Sequence, residues 1–304
     1  MVILLGMKII VQFSGGKDSL ASLLWAINTY GKNNIIAVFC DTKWEHELTY
    51  QHIKEVIEKT GVEFVTLNGK YSFIELARKK LRFPSTKARF CTDFLKIRPF
   101  IDWLIEMNFD YTIIIQGIRA NESKSRSKMT RECQYFKYYF TPYGKDKKGK
   151  DKYMNYRKKK IIELELLGKC DIERPFFDAT ANDVMTYIKD NGFKPNPLYY
   201  IGFNRVGCFP CIMCSKSEMD LLIKKQPEYL TRIEDAELEL GATFFPPDYI
   251  PKHALMPFQT KKKGIMLLPS IQAVVRYLKR RNKKGEMFEK EYSNSCMSIY
   301  NICE

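Results

Sequence analysis

The residues best equipped for chemistry come early, in Ser14-Gly15-Gly16-Lys17-Asp18-Ser19, between an apolar β-branched run and a segment of helical periodicity. Gly15 and Gly16 permit backbone angles and a close approach that a Cβ would block. A helix starting just after them aims unpaired N–H groups, and the positive end of its dipole, at whatever the loop holds. Lys17 adds a mobile point charge, and the hydroxyls of Ser14 and Ser19 can donate to phosphate oxygens. Asp18 fits beside phosphates as a partner of Mg²⁺ or as an acidic residue of the first helical turn. The four-residue spacer and second glycine of the Walker loop are missing, so this is a phosphate cradle of another design.

A second cluster lies late in the chain. Cys208, Cys211 and Cys214 place three thiols within seven residues. That spacing fits an iron–sulfur cubane or a tetrahedral zinc, each needing a fourth ligand, with free thiols as the remaining reading. Nine cysteines, an odd number, do not make a secreted disulfide framework. Cys40 ends an apolar run and reads as core, and Cys133 and Cys170 read as structural thiols. With only His46, His52 and His253, no hydrolytic triad is in prospect, and His46 reads as a packed or solvated side chain.

These residues need elements to position them. Short apolar runs at 8–13, 35–40, 63–67 and 112–116 predict strands. Leu20, Leu23, Leu24 and Ile27 mark a helix ending at Gly31, and further helices are predicted at 47–60, 74–81 and 97–107. Alternating strands and helices imply an α/β fold, a doubly wound parallel sheet that binds its ligand outside the carboxyl ends of its strands. The glycine loop, Asp41-Thr42 and Gly117-Ile118-Arg119 all fall at that edge. Residues 141–160 read as a basic excursion or hairpin, 161–167 as a returning strand, and the chain beyond Asp178 as mostly helical. The expected division is 1–190 for the nucleotide-loop domain and 191–304 for a helical region carrying the cysteines.

The chain carries 50 Lys and Arg against 35 Asp and Glu, a net charge of +15. One reading is a solvated surface whose lysines draw in a polyanionic nucleotide. The other is nucleic acid, with Tyr138, Tyr139, Tyr143, Tyr153 and Tyr156 interleaved among the lysines to stack bases. A second basic patch runs from Arg276 to Lys284. Hydrophobic content of 45% with 28% charged residues suits a soluble globular protein. No run approaches the roughly 20 apolar residues of a membrane helix. The opening segment lacks a basic n-region and a cleavage site, so a cytoplasmic protein with no membrane partner is expected.

Several stretches in order resemble one family, the phosphoadenosine phosphosulfate reductase-like branch of the PP-loop ATP pyrophosphatases, also called adenine nucleotide alpha hydrolase-like proteins. The glycine loop is similar to theirs. So are Asp41-Thr42-Lys43-Trp44-Glu45-His46 with Thr49-Tyr50, and Arg89-Phe90-Cys91-Thr92 with Leu95-Lys96 and Pro99. Gly117-Ile118-Arg119-Ala120 with Glu122, Ser123 and Arg126 follows, then Arg174-Pro175-Phe176, Asn196-Pro197-Leu198-Tyr199, Gly202, Arg205 and Gly207-Cys208 with Cys211. The resemblance spans about residues 8–220.

It implies a Rossmann-like fold and an adenine nucleotide, ATP or an adenylyl sulfonucleotide with Mg²⁺. The nucleotide would be held by Ser14 to Ser19, Asp41, Thr42, Gly117, Arg119 and Arg126, with Lys17, Asp18, Asp41 and Arg119 in the chemistry. Arg119 and Arg126 suit bidentate contact with phosphate or sulfate, and otherwise read as surface arginines paired with Glu122. Lys96 carries the same two readings. The resemblance also makes Cys91 the fourth ligand beside Cys208, Cys211 and Cys214, for a [4Fe–4S] cluster or for zinc.

Three departures matter. Lys43 replaces the usual glycine, Cys91-Thr92 replaces a Cys-Cys pair, and the reductase's late Glu-Cys-Gly-Leu-His segment is absent, leaving Cys296 and Cys303. Three functions stay open. One is an ATP-cleaving, adenylating enzyme of sulfur transfer, acting on nucleic acid with a sulfur donor protein. The others are a sulfonucleotide reductase served by a thiol reductant protein, and a nucleotide-binding regulator without turnover.

Overall fold

The computed structural model describes residues 7–86, 88–167 and 169–283. Cys296, Cys303 and the last residue of the second basic patch, Lys284, lie outside them.

The chain opens with β1 (Met7–Gln12), crosses through α1 (Lys17–Tyr30) to β2 (Ile35–Asp41), and through α2 (Glu47–Thr60) to β3 (Glu63–Asn68). It then passes α3 (Phe73–Lys80) and a helix at Arg98–Met107 before β4 (Tyr111–Gln116) pairs with β1 on its other side. Two more strands, β5 (Glu132–Gln134) and, after a small hairpin of β6 (Gly144–Lys145) and β7 (Asp151–Lys152), β8 (Lys169–Glu173), complete the sheet. Its order is β3-β2-β1-β4-β8-β5, parallel except for β5 against β8.

Helices cover both faces, which is why the central strands read as unbroken apolar runs rather than alternating ones. Ile9 and Val11 of β1 pack under α1 and α2, while Ile10, between them, packs toward the helix at Arg98–Met107. The chain builds outward from β1 first one way, to β2 and β3, and then the other, to β4 and β8. The crevice where that direction reverses lies between the carboxyl ends of β1 and β4, the usual ligand position in such sheets. At that spot Gln116 Nε2 donates to Gln12 Oε1 at 2.9 Å.

Two predicted elements differ. Residues 161–167 belong to a helix, Lys158–Leu167, and the strand comes only afterwards, as β8. Ile161 and Leu164, three apart, bury one face against the sheet, so helical spacing prevails over the β-branched pair Ile161-Ile162. The region past Asp178 is largely helical, yet it contains an antiparallel hairpin, β9 (Met256–Thr260) with β10 (Gly264–Leu268). The late elements share one core with early ones: Trp44, Phe73, Phe83 and Leu95 pack with Phe203, Phe209, Phe244 and Leu278. Among the described residues no helix is long and apolar enough to cross a membrane.

Candidate active site

The loop after β1 closes on itself before it meets any ligand. Ser19 Oγ accepts from the Ser14 N–H at 3.2 Å and donates to the Gly16 carbonyl at 3.0 Å. Gly15 has φ +77, and a Cβ there would stand 2.9 Å from Ile53 Cγ1, so both conformation and space demand glycine. The tighter constraint is at Gly117, just past β4. A Cβ on Gly117 would come within 2.5 Å of the Asp18 carbonyl carbon and the Ser19 nitrogen. The end of β4 therefore presses directly on the start of α1.

That contact brings Arg119 across to Asp18. Asp18 is fully buried, and its Oδ1 accepts from Arg119 Nε at 2.5 Å while its Oδ2 pairs with Lys17 Nζ at 2.7 Å. The surface-arginine reading fails, since Arg119 and Arg126 are 6% and 1% exposed. The pairing with Glu122 holds: Glu122 Oε2 accepts from the Arg119 N–H at 2.9 Å and from Arg126 Nη1. Arg126 thus stands behind Arg119, bracing the turn that carries it.

Asp41 ends β2, and Thr42 follows it. Burial pushes the Asp41 carboxyl up, but hydrogen bonds from Lys43 and Tyr50 outweigh it and hold the carboxyl below its ordinary value. Lys43 Nζ lies 2.6 Å from Asp41 Oδ2, and Tyr50 donates to Oδ1 at 2.7 Å. Lys43 adopts φ +57, the left-handed region, which explains why glycine suits this position. Glu45 is buried beside it and pushed up by burial, with Lys96 pulling the other way. His46 caps α2: its Nδ1 accepts from the Leu48 N–H at 2.9 Å, so Nε2 donates to Gln226 Oε1 at 2.6 Å.

Three cavities meet around the loop. The first lies between the carboxyl ends of β1, β2 and β4, walled by Phe13, Val38, Phe39 and Gln116 with Ser14 and Ser19 at its edge. The second is lined by Cys91, Cys208 and Cys211 with Trp44, Arg89 and Arg205. The third is an open cleft of about 450 Å³ on the outer side, bounded by Lys17, Arg119, Tyr199 and Arg205. Ser14, Lys96 and Gly207 line both of the first two.

The structure brings Cys91 to Cys208 and Cys211, about 117 and 120 residues further on. Cys214 does not line their pocket; it is buried one turn behind, its N–H on the Cys211 carbonyl at 2.9 Å. Among the described residues no three His, Cys, Asp or Glu side chains stand close enough to hold a single metal ion. Burial pushes the Cys208 thiol well up, against the pull of Lys96.

Sequence reasoning passed over several positioning residues. Asn196 Nδ2 donates to the Gly15 carbonyl at 3.2 Å, and Tyr199 Oη accepts from the Lys17 N–H at 3.1 Å, so the late chain steadies the loop. Both stand in a stretch that carried the family resemblance, which was the available signal. Arg232 gave none. Its guanidinium lies 3.7 Å from the Trp44 ring centroid and donates to the carbonyls of Lys43, Glu45 and Phe209. It ties the segment after β2 to the cysteine loop.

A mostly parallel sheet with a glycine phosphate loop at its switch point, two cations held there by a buried carboxylate, defines an α/β nucleotide-binding protein. The chain belongs to the phosphoadenosine phosphosulfate reductase domain family, whose model matches residues 8–214. It is 29% identical over 302 aligned positions to an uncharacterized 37.8 kDa protein of Escherichia phage 186, covering 81% of each. It is 28% identical to an uncharacterized protein of Methanocaldococcus jannaschii, across 75% of this chain but only 41% of that longer one. A solved phosphoadenylyl-sulfate reductase from Candida auris, a phosphate complex, overlaps 68% of this chain and 82% of its own at TM-score 0.44 and 16% identity.

Proposed function

We propose that this protein cleaves ATP to AMP and pyrophosphate in order to adenylate an acceptor oxygen, and that sulfur then displaces the AMP. One observation carries the reading: the phosphate-loop cavity and the thiol-lined pocket share Ser14, Lys96 and Gly207, so a nucleotide held by the loop would meet the thiols at one wall.

In this reading the acceptor oxygen attacks the α-phosphorus, the α–β bridging bond breaks, and pyrophosphate departs with the bonding pair. The loop N–H groups and Lys17 hold the departing phosphates, and Arg119 offsets charge as it builds on the bridging oxygen. Asp18 keeps both cations placed before the nucleotide arrives. A Mg²⁺ that comes with the nucleotide would draw on the Asp41 carboxylate, because both Asp18 oxygens already serve Lys17 and Arg119, and would complete its shell with phosphates and water.

Cys91, Cys208 and Cys211 around one cavity offer thiolates suited to a [4Fe–4S] cluster or, with a fourth ligand, to zinc. Cys91, Cys208 and Cys211 would hold the cluster, and a set of four would need the turn at Cys211–Cys214 to reorient. Such a group supplies a site for sulfur or for electrons.

Incubating anaerobically purified protein with ATP, Mg²⁺, nucleic acid and sulfide as the sulfur source should yield AMP and pyrophosphate in equal amounts. Sulfite released from a sulfonucleotide with a thiol reductant, and no AMP from ATP, would replace this reading with the reductase. Tight nucleotide binding with neither product would leave the regulator.

A further inference from the structure

A band of alternating cations and aromatic rings runs along the surface beside the thiol pocket. Lys80 Nζ stands 4.6 Å from the centroid of the Phe94 ring. The Arg98 guanidinium lies 3.9 Å from that ring and 4.7 Å from the ring of Tyr156, and Arg157 stands 5.9 Å from Tyr156. At the other end, Phe90 carries Arg82 at 5.6 Å and is followed directly by Cys91. Because Arg89, Cys91 and Thr92 line the thiol pocket, the band ends at its wall.

Past Tyr156 the same pairing continues into the β6–β7 hairpin, with Lys152 over Tyr143 at 5.1 Å and Lys158 over Tyr153 at 5.9 Å. Between residues 144 and 160 nine Lys and Arg stand against two Asp. Two further carboxylates face the band: Asp93 pairs with Arg98, and Asp102 with Arg157 and the Tyr156 hydroxyl. They fix side-chain positions while leaving the band strongly positive. Phe90, Phe94 and Tyr156 are half-buried beneath their cations and Tyr153 is exposed, so a base would stack on Tyr153 as the rings stand and on the others where its phosphates draw the cations aside.

Cations at this spacing would follow a phosphate chain, and rings fixed between them would stack unpaired bases. A duplex hides the faces of its bases and could use only the charges. We propose that this band binds single-stranded nucleic acid, with the backbone along Lys80, Arg82, Arg98 and the hairpin lysines, and leads the strand to the wall of the thiol pocket. It names the acceptor of the adenylation reading and rests on that reading for what happens at the pocket; the binding itself is tested separately.

The test is fluorescence anisotropy of full-length protein with labelled oligo(dT) and oligo(U) of about 20 nucleotides, and a duplex of equal length, across a KCl series. Single strands should bind about tenfold tighter than the duplex, with affinity falling as salt rises. Preference for oligo(U) or for oligo(dT) supports the proposal equally and tells RNA from DNA. Combined Lys80→Glu, Arg82→Glu and Lys152→Glu should weaken binding by more than about tenfold and flatten the salt slope. Tyr153→Ala should weaken it several-fold with the slope unchanged. ATP binding, measured in parallel, should survive in each, and Gln in place of Glu serves if charge reversal unfolds the protein. Equal duplex binding, unchanged affinity in the triple variant, or binding of phosphatidylserine vesicles but no oligonucleotide would overturn it. Oligonucleotide binding without AMP formation would sink the adenylation reading alone, whereas adenylation of some other acceptor with no oligonucleotide bound would sink this one alone.

Discussion

Arg119 reaches from the turn after β4 to the first turn of α1 and lays its Nε on the buried Asp18 carboxylate at 2.5 Å. Lys17 occupies the other oxygen of the same carboxylate. Phosphates arriving at the loop would meet two cations already in place, so less side-chain entropy is lost on binding.

Removing Arg119 takes one cation from the buried Asp18 carboxylate and leaves Lys17 on its other oxygen. Arg119→Ala should lower the free energy of unfolding by about 3 kcal/mol, the range for breaking a buried pair, and weaken ATP binding by about tenfold or more. Urea denaturation with and without ATP measures both. A variant as stable as the parent would show that Lys17 alone suffices.

Gly117→Ala inserts a Cβ against main-chain atoms of Asp18 and Ser19 that cannot swing aside. Overpacking of this kind costs about 1–3 kcal/mol, and here the strain falls on the phosphate loop itself. Thermal melts should show a lower Tm and a smaller upward shift with ATP than in the parent.

The left-handed backbone at Lys43 sorts substitutions by shape. Lys43→Val should cost about 1–2 kcal/mol, because a β-branched residue is poorly tolerated at positive φ. Lys43→Gly should stay within about 0.5 kcal/mol of the parent, since relief of the backbone offsets the ion pair from the exposed Lys43 ammonium to the buried Asp41, which keeps Tyr50. Equal stability of the two variants in urea melts would contradict this account.

Glu237 joins the helix at Glu228–Leu240 to two later segments. Its carboxylate accepts from the Phe244 and Ile271 N–H groups, both at 2.8 Å, and burial pushes it from 4.5 up to about 7. The folded protein therefore keeps a proton that the unfolded chain has already released. Stability should fall as pH rises from about 4.5 to 7, by about 3 kcal/mol in all, and level off above that. Glu237→Gln should abolish this part of the pH dependence in urea melts from pH 4 to 8. An unaltered profile would assign the dependence elsewhere.

Cysteine substitutions should separate by place. Cys208→Ser and Cys211→Ser, at the pocket, should strip most iron and acid-labile sulfide from anaerobically purified protein. Cys214→Ala, behind it, should leave most of both and act through the core instead, costing about 1–2 kcal/mol. Zinc without iron in the parent would remove the cluster from the site.

Local chemistry decided much of this by itself. A glycine pair between an apolar strand and an amphipathic helix could be read as a phosphate loop, because those steric and electrostatic demands act over a few residues. Parallel strands were legible for the same reason: Ile35 to Cys40 is apolar on both sides, which only a sheet covered on both faces accommodates. The ambiguous stretch was 161–167, where a short apolar run fits strand or helix until it is known which neighbour covers Ile161 and Leu164.

Tertiary structure decided what depends on contacts distant in sequence. That Asp18 is the shared partner of Lys17 and Arg119 follows from Gly117 allowing β4 to press on α1, a contact spanning about 100 residues. The gathering of Cys91 with Cys208 and Cys211 joins segments about 120 residues apart, and Arg232 fastens the cysteine loop to the segment after β2. Spacing names residue types able to bind a phosphate or a metal. Which of them share a wall is settled by the packing of early and late elements into a shared core, since that fixes the distances over which charge and thiol can act.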